Sequence, residues 1–186
     1  MKPDRVVSTE TDLIQKAVAG DADAFGKLYD SYVDEVYRFV YYRVNDVETA
    51  EDLTSQTFLK AWDNMGRYRL RGAPFKAWLV QIARNLIIDF YRTRKDTLPL
   101  EPYAIGKADP NVNVSSVVEK RLQAQWLQKM LRHLTEEQRE VLVLKFINGL
   151  STREIARIMN KGQGAVRALQ MRGLHALADL VGMNDE

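Results

Sequence analysis

Two stretches of this chain carry side chains whose types and spacing suit a polyanionic partner. In the first, winding residues 163–177 at about 100° each puts Val166, Leu169, Gly173 and Leu177 on one stripe. The opposite face carries Gly164, Ala168, Met171 and His175, flanked by Arg167 and Arg172, with Arg153, Lys161 and Gln163 close by in the chain. Small residues between arginines let a helix lie close to a phosphate backbone while guanidiniums reach phosphates or guanine edges. The plainer alternative is a helical hairpin with a solvated basic face. In the second stretch, 67–95, Tyr68 stands among Arg67, Arg69 and Arg71, and Lys76, Arg84, Asn85 and Arg92 follow. A ring beside phosphate-seeking charge is what single-stranded nucleic acid requires, although a lone Tyr in such a loop often just caps a core.

Charge distribution sharpens both readings. Residues 1–66 hold seven Lys/Arg against thirteen Asp/Glu, whereas 67–95 hold eight against one, Asp89. The rest is nearly balanced, and the whole chain carries a net +2. Two basic zones suggest two contacts with nucleic acid, and the acidic start suggests a basic protein partner. There is no Cys, and the two His, His133 and His175, are isolated, so neither a metal cluster nor a disulfide is expected. No nucleophile–base pair or phosphate-cradling loop stands out, so neither catalytic residues nor a cofactor are expected. No apolar run approaches the roughly 20 residues that span a bilayer. The first residues lack the apolar segment of a signal peptide, which places the expected chain in the cytoplasm.

The elements that must position these residues are helices. Ser151 with Glu154 forms a capping box, and Leu150 with Ile155 a hydrophobic staple, opening a helix that runs to about Met159. Asn160, Lys161 and Gly162 break it, the glycine accepting the positive φ that ends a helix, and the basic helix follows. Such a pair reads as a helix-turn-helix whose second helix enters a major groove. Further back, a short helix over 12–19 stops at Gly20. Asp21 or Asp23 caps a longer one whose core stripe is Phe25, Leu28, Tyr29, Tyr32, Val36, Phe39 and Val40.

Asn45 and Asp46 cap a helix over 47–65 that points Ala50, Leu53, Thr54, Thr57, Phe58, Ala61, Trp62 and Met65 inward. Its outward face is Glu48, Glu51, Asp52, Ser55, Gln56, Leu59 and Asp63. Taken alone, that face is solvated with one stray leucine. Pro74 suits the first turn of a helix reaching about Arg94, with Phe75, Trp78, Leu79, Ile82, Ala83, Leu86 and Phe90 facing the core.

Residues 96–115 hold three of the five prolines and no apolar period, which predicts an extended linker. Ser116 and Glu119 cap the next helix, packing Leu122, Trp126, Leu127 and Met130. Thr135 and Gln138 cap another, carrying Val141, Leu142, Leu144 and Phe146 to Gly149. The expected fold is all-α: two small helical domains, 1–95 and 116–186, the second ending in the helix-turn-helix.

Taken together, these residues resemble the extracytoplasmic-function sigma factors of bacteria, from about Ala24 to Leu180. The resemblance rests on AEDLTSQTFLKAW at 50–62, FKAWLVQIARNLIIDFYR at 75–92 and LTEEQREVLVLKFINGLSTREIARIM at 134–159, in that order and spacing. It implies that Asp52 and its neighbours Glu48, Glu51, Ser55, Gln56 and Leu59 dock on core RNA polymerase, so the face around Leu59 is no longer a solvated one.

By the same resemblance, Arg67, Tyr68, Arg69, Arg71, Lys76, Arg84, Asn85 and Arg92 open and read the −10 element. Arg153, Lys161, Gln163, Gly164, Arg167, Ala168, Met171 and Arg172 serve the −35 element. An anti-sigma factor is implied as a further partner. Ser55 and Gln56 stand where the family usually has Gln and an acid, Ala73 with Pro74 where a Ser or Thr cap is usual, and Ala165 where Thr is usual. The rival readings are a stand-alone helix-turn-helix regulator with an N-terminal sensing domain, and an adaptor that docks through its acidic helix. The basic aromatic zone argues against the first, and the two separate basic zones argue against the second.

Overall fold

Capping side chains set where the helices begin. The computed structural model of the chain describes residues 9–70, 72–95 and 115–182, the side chains of 95 and 115–121 excepted. Thr9 and Asp12 close a capping box on α1 (Glu10–Val18), so this helix starts ahead of the expected position 12. Asp21, and not Asp23, caps α2 (Ala22–Val44) by accepting from the amide of Ala24 at 3.0 Å. Asn45 does not cap the next helix. It takes a left-handed φ of 61° and closes α2, while Asp46 caps α3 (Val47–Asn64) through the Thr49 amide at 2.8 Å. A 3-10 turn, Met65–Arg67, leads into the basic loop, and α4 (Phe75–Lys95) follows with Pro74 just ahead of its first residue.

In the second half come α5 (Ser115–Arg132), α6 (Glu136–Leu142), a π turn (Val143–Ile147), α7 (Thr152–Ile158) and α8 (Gln163–Gly182). The capping boxes Thr135–Gln138 and Ser151–Glu154 both form. Every regular element among the described residues is helical. The expected linker lies outside the described residues except for Ser115, and the expected Ser116–Glu119 box outside the described side chains. The turn between α7 and α8 is made by Asn160, whose φ is 52°, and not by Gly162. Asn tolerates that region because its short polar side chain bonds locally.

Helices α1 to α4 pack into one group and α5 to α8 into another. The groups meet where α2 touches the π turn and α4 touches α7. The stripe expected on α4 is present, with Phe75, Leu79, Ala83 and Leu86 buried. Ala77, Val80 and Ile87 are buried as well, because α4 is covered on a second side.

Several expected core positions are on the surface, among them Leu122, Trp126 (54% exposed) and Phe146 (58% exposed). Phe146 sits in the π turn, whose wider winding breaks the 3.6-residue spacing that placed it inward. On α5, burial goes instead to Gln128 and Leu131. Tyr29, also expected inside, is 40% exposed, yet its ring still meets Phe58 edge-on.

Candidate nucleic-acid interface

Three surfaces carry the chemistry, each built on a packed helix. The first is the outer face of α8. Val166, Leu169 and Gly173 are buried beneath it. A Cβ on Gly173 would stand 3.1 Å from Leu142 Cδ1, so the glycine sets how closely α8 approaches α6. Gln163, Gly164, Arg167, Ala168, Met171 and Arg172 are all exposed, as the sequence implied. Arg153 is exposed on α7, whereas Lys161 is held by Glu137 at 2.8 Å.

The second surface is acidic. Thr54 and Thr57 return their hydroxyls to the carbonyls of Ala50 and Leu53, at 2.6 and 2.7 Å, and so bury polar groups without leaving them unsatisfied. The opposite face of α3 exposes Glu48, Glu51, Asp52, Ser55 and Leu59, the leucine at 66%. Gln56 is half-buried and donates to Asp52 at 2.8 Å, which fixes the carboxylate in place.

The third is a cavity of about 290 Å³ where the end of α3, the basic loop and α4 meet. Its lining is Lys60, Asn64, Arg67, Tyr68, Trp78, Ile82 and Asn85. Tyr68 is not the exposed stacking platform the sequence suggested, being only 8% exposed. Its ring meets Phe75 at right angles (5.5 Å) and Trp78 at a tilt (5.0 Å), while its hydroxyl donates to the Ala73 carbonyl at 2.8 Å. These contacts bind the loop to α4, and burial pushes the phenol's pKa up.

The cavity therefore has an aromatic floor, with hydrogen-bond donors supplied by Lys60, Asn64, Arg67 and Asn85. Lys60, Asn64, Trp78 and Ile82 were missed in the sequence. The i, i+4 spacing of Lys60 and Asn64 just before the basic loop was the available signal.

The other residues of the basic zone do not join this cavity. Arg69 is exposed and Arg71 lies outside the described residues. Arg92 pairs with Asp89 at 3.0 Å on the surface. Lys76 and Arg84, expected to be exposed cations, turn toward the second helix group. Lys76 pairs with Glu35 at 2.7 Å and donates to the Asn148 carbonyl at 3.3 Å, and Arg84 pairs with Glu140 at 2.6 Å.

No helix among the described residues is long and apolar enough to cross a membrane, and no group of three or more His, Cys, Asp or Glu there suits a metal ion.

Residues 28–97 match the family model for Sigma-70 region 2, and residues 124–177 that for Sigma-70, region 4. The chain is 43% identical over 172 residues to the ECF RNA polymerase sigma factor BldN of Streptomyces coelicolor, an overlap covering 91% of this chain and 65% of that protein. It is 33% identical over 174 residues to SigW of Bacillus subtilis, covering 88% of this chain and 92% of SigW. Among solved structures, it resembles the sigma factor RpoE in complex with the anti-sigma factor NepR from Bartonella quintana. There the TM-score is 0.69 and the identity 25%, over 85% of this chain and 96% of that one. A likeness to SigW along nearly its whole length, with regions 2 and 4 in their proper order, means that the chain belongs to the extracytoplasmic-function (ECF) RNA polymerase sigma factors.

Proposed function

We propose that this chain docks on core RNA polymerase through the outer face of α3, captures an unstacked base of the −10 strand in the cavity beside Tyr68, and reads the −35 element with α8. Residues 1–95 form the docking and promoter-opening unit, 96–115 the linker, and 116–186 the −35 reader. The observation that carries the reading is the cavity, where polar donors from Lys60, Asn64, Arg67 and Asn85 surround the rings of Tyr68 and Trp78. A base leaving the stack there gains stacking and hydrogen bonds that offset its lost pairing, a cost of a few kcal/mol. Leu59 supplies an apolar anchor ringed by Glu51, Asp52 and Ser55, the arrangement of a binding hot spot.

The chain has no active site of its own in this reading. Bond formation belongs to core polymerase, and the chain works in the cytoplasm, associated with the nucleoid when bound to polymerase. RpoE of Bartonella quintana forms a complex with an anti-sigma factor, and we extend that class of partner to this chain.

Run-off transcription tests the whole reading. Purified chain and core polymerase, given a genomic fragment library, should yield discrete transcripts that neither produces alone. A chain that binds duplex promoters without polymerase, and directs no initiation with it, would instead be a stand-alone regulator.

A further inference from the structure

Helix α1 (Glu10–Val18) supports the cavity beside Tyr68 from behind, without lining it. It lies ahead of residues 28–97, the stretch that matches region 2. Its seating is firm all the same. Ile14 and Ala17 are buried, Leu13 and Val18 pack against the same core, and the helix rests on both α2 and the 3-10 turn. That turn, Met65–Arg67, carries Arg67 to the cavity wall.

A second path from α1 to the cavity runs through aromatic rings. A Glu10 carboxylate oxygen accepts the Tyr32 hydroxyl at 2.6 Å, the length of a charge-assisted bond. Burial, and after it this bond to Glu10, push the Tyr32 phenol well above its ordinary range, so the hydroxyl stays a donor at neutral pH. Glu35, the other carboxylate near Tyr32, is occupied by Lys76 at 2.7 Å. The Tyr32 ring meets Phe75 edge-on at 5.5 Å, and Phe75 in turn meets Tyr68 at right angles and Trp78 at a tilt. Tyr68 and Trp78 line the cavity. Edge-to-face rings favour a narrow set of mutual orientations, so the angle of Tyr32 is passed along this row to the two rings that a base would meet.

We propose that α1 is a positioning helix for strand capture: Glu10 and Tyr32, acting through Phe75, set the orientation in which Tyr68 and Trp78 receive an unstacked base. The proposal rests on the strand-capture reading above and adds to it residues that line no part of the cavity. A binding site is only as well defined as the packing behind it. Removing Glu10 or the Tyr32 hydroxyl therefore loosens the aromatic floor while leaving Lys60, Asn64, Arg67 and Asn85 in place.

The test uses holoenzyme assembled from the full chain and core polymerase, on a promoter recovered by the run-off experiment. The template is pre-melted by a mismatched bubble, so that strand opening costs the same in every arm. The lifetime of the complex under heparin challenge is the readout. An abasic nucleotide stepped along the −10 strand finds the captured position, where the parent's complex is shortest-lived. On the intact bubble, Glu10→Ala and Tyr32→Phe should each shorten that lifetime roughly three- to tenfold, the scale of one net hydrogen bond. On the bubble that lacks the captured base, both variants should match the parent, because the interaction that they weaken is already gone. Glu10→Gln keeps an acceptor for the Tyr32 hydroxyl and should recover most of the lifetime. Glu10→Ala leaves the Thr9–Asp12 capping box of α1 untouched, and circular dichroism verifies that every variant is folded.

Parent-like lifetimes for both Glu10→Ala and Tyr32→Phe on the intact bubble overturn the positioning role. Defects of equal size on intact and abasic bubbles overturn it as well, since α1 would then act on the fold and not on the base. A parent indifferent to an abasic nucleotide anywhere along the −10 strand overturns the strand-capture reading itself.

Discussion

The outer face of α8 and the surface of α4 were both read from the sequence as basic helix faces, and only one of them is one. Arg167 and Arg172 of α8 are exposed and make no ion pair among the described residues, with small residues between them. On α4, Arg84 and Lys76 are engaged by Glu140, Glu35 and the Asn148 carbonyl, while Asn85 alone of the expected set lines the cavity. The difference follows from neighbours. Helix α8 packs its one apolar stripe inward and leaves the remainder to solvent, whereas α4 is covered by α2 and α3 on one side and by α7 on another. A cation on a helix with a single packing face is available to DNA. A cation on a sandwiched helix becomes available only when one of the packed layers moves.

The strongest way to break the α4 side of this comparison is to remove the ring that packs behind the aromatic floor of its cavity, Tyr68 and Trp78. Phe75 is almost fully buried and meets the rings of Tyr32, Tyr68 and Trp78. Phe75→Ala should cost about 3–5 kcal/mol of stability, measured by urea unfolding. It should release the basic loop and abolish promoter opening, while −35 duplex binding by molecules that remain folded should be retained. Equal loss of both activities at a temperature where the variant is folded would mean that the two surfaces are not independent.

A milder test sets the two surfaces against each other. Arg67→Ala and Asn85→Ala should each weaken open-complex formation by about 1–3 kcal/mol if they hold a base that has left the stack. The readout is permanganate reactivity of thymines near the start site, and a mismatched bubble in the template should restore part of the activity. Arg167→Ala should cost a similar 1–3 kcal/mol but relax preference at one −35 position, whereas Arg172→Ala should weaken all sequences alike if it holds phosphate. Bubble rescue of the Arg167→Ala defect would count against this division of labour.

What the sequence made legible follows the same rule about neighbours. On α3, the alternation of Leu53, Thr57, Phe58 and Ala61 with Glu51, Asp52, Ser55 and Leu59 survives intact, because one side packs and the other does not. The capping boxes at Thr135 and Ser151 were equally readable, being local in sequence. Burial of Arg43 and Glu140 was not, since isolated charges read as solvated unless the partner is known, and here the partners are 93 and 56 positions away in the chain, respectively. The cavity was half-legible. Charge and aromaticity single out its Arg67, Tyr68 and Asn85, but the helical period assigns Trp78 and Ile82 wholly to the core, and Lys60 with Asn64 carries no signal of its own.

The proposed docking face of α3 should respond more modestly than either proposed DNA surface. Leu59→Ala removes an exposed side chain that would be buried only on binding, so core polymerase affinity should fall by about 1–2 kcal/mol while the unfolding midpoint stays put. Asp52→Arg should weaken docking by charge reversal and also lose the hydrogen bond from Gln56. Unchanged pull-down of core polymerase by both variants would remove α3 from the interface.

The smallest expected effect concerns Asp46, the residue that caps α3. The hydroxyl of Thr49, and after it the Thr49 amide, donate to Asp46 at 2.6 and 2.8 Å and hold its carboxyl below the usual aspartate range. A group whose folded pKa is depressed stabilises the fold above its unfolded value, about 4 for aspartate, and loses that contribution as pH falls through the folded value. At neutral pH, Asp46→Ala should therefore be about 1 kcal/mol less stable than the parent, the ordinary worth of an N-cap. As pH drops from about 5 through the folded value, protonation weakens the parent's cap, and the gap between parent and variant should narrow. Because α3 presents Glu48 and Glu51 from its first turns, fraying there should also loosen the near end of the proposed docking face, visible as faster amide exchange at Thr49 and Ala50 in the variant. A stability gap that stays constant from pH 7 to acid would show that the cap works without its charge, and α3 would then owe its start to packing of Ala50 and Leu53 alone.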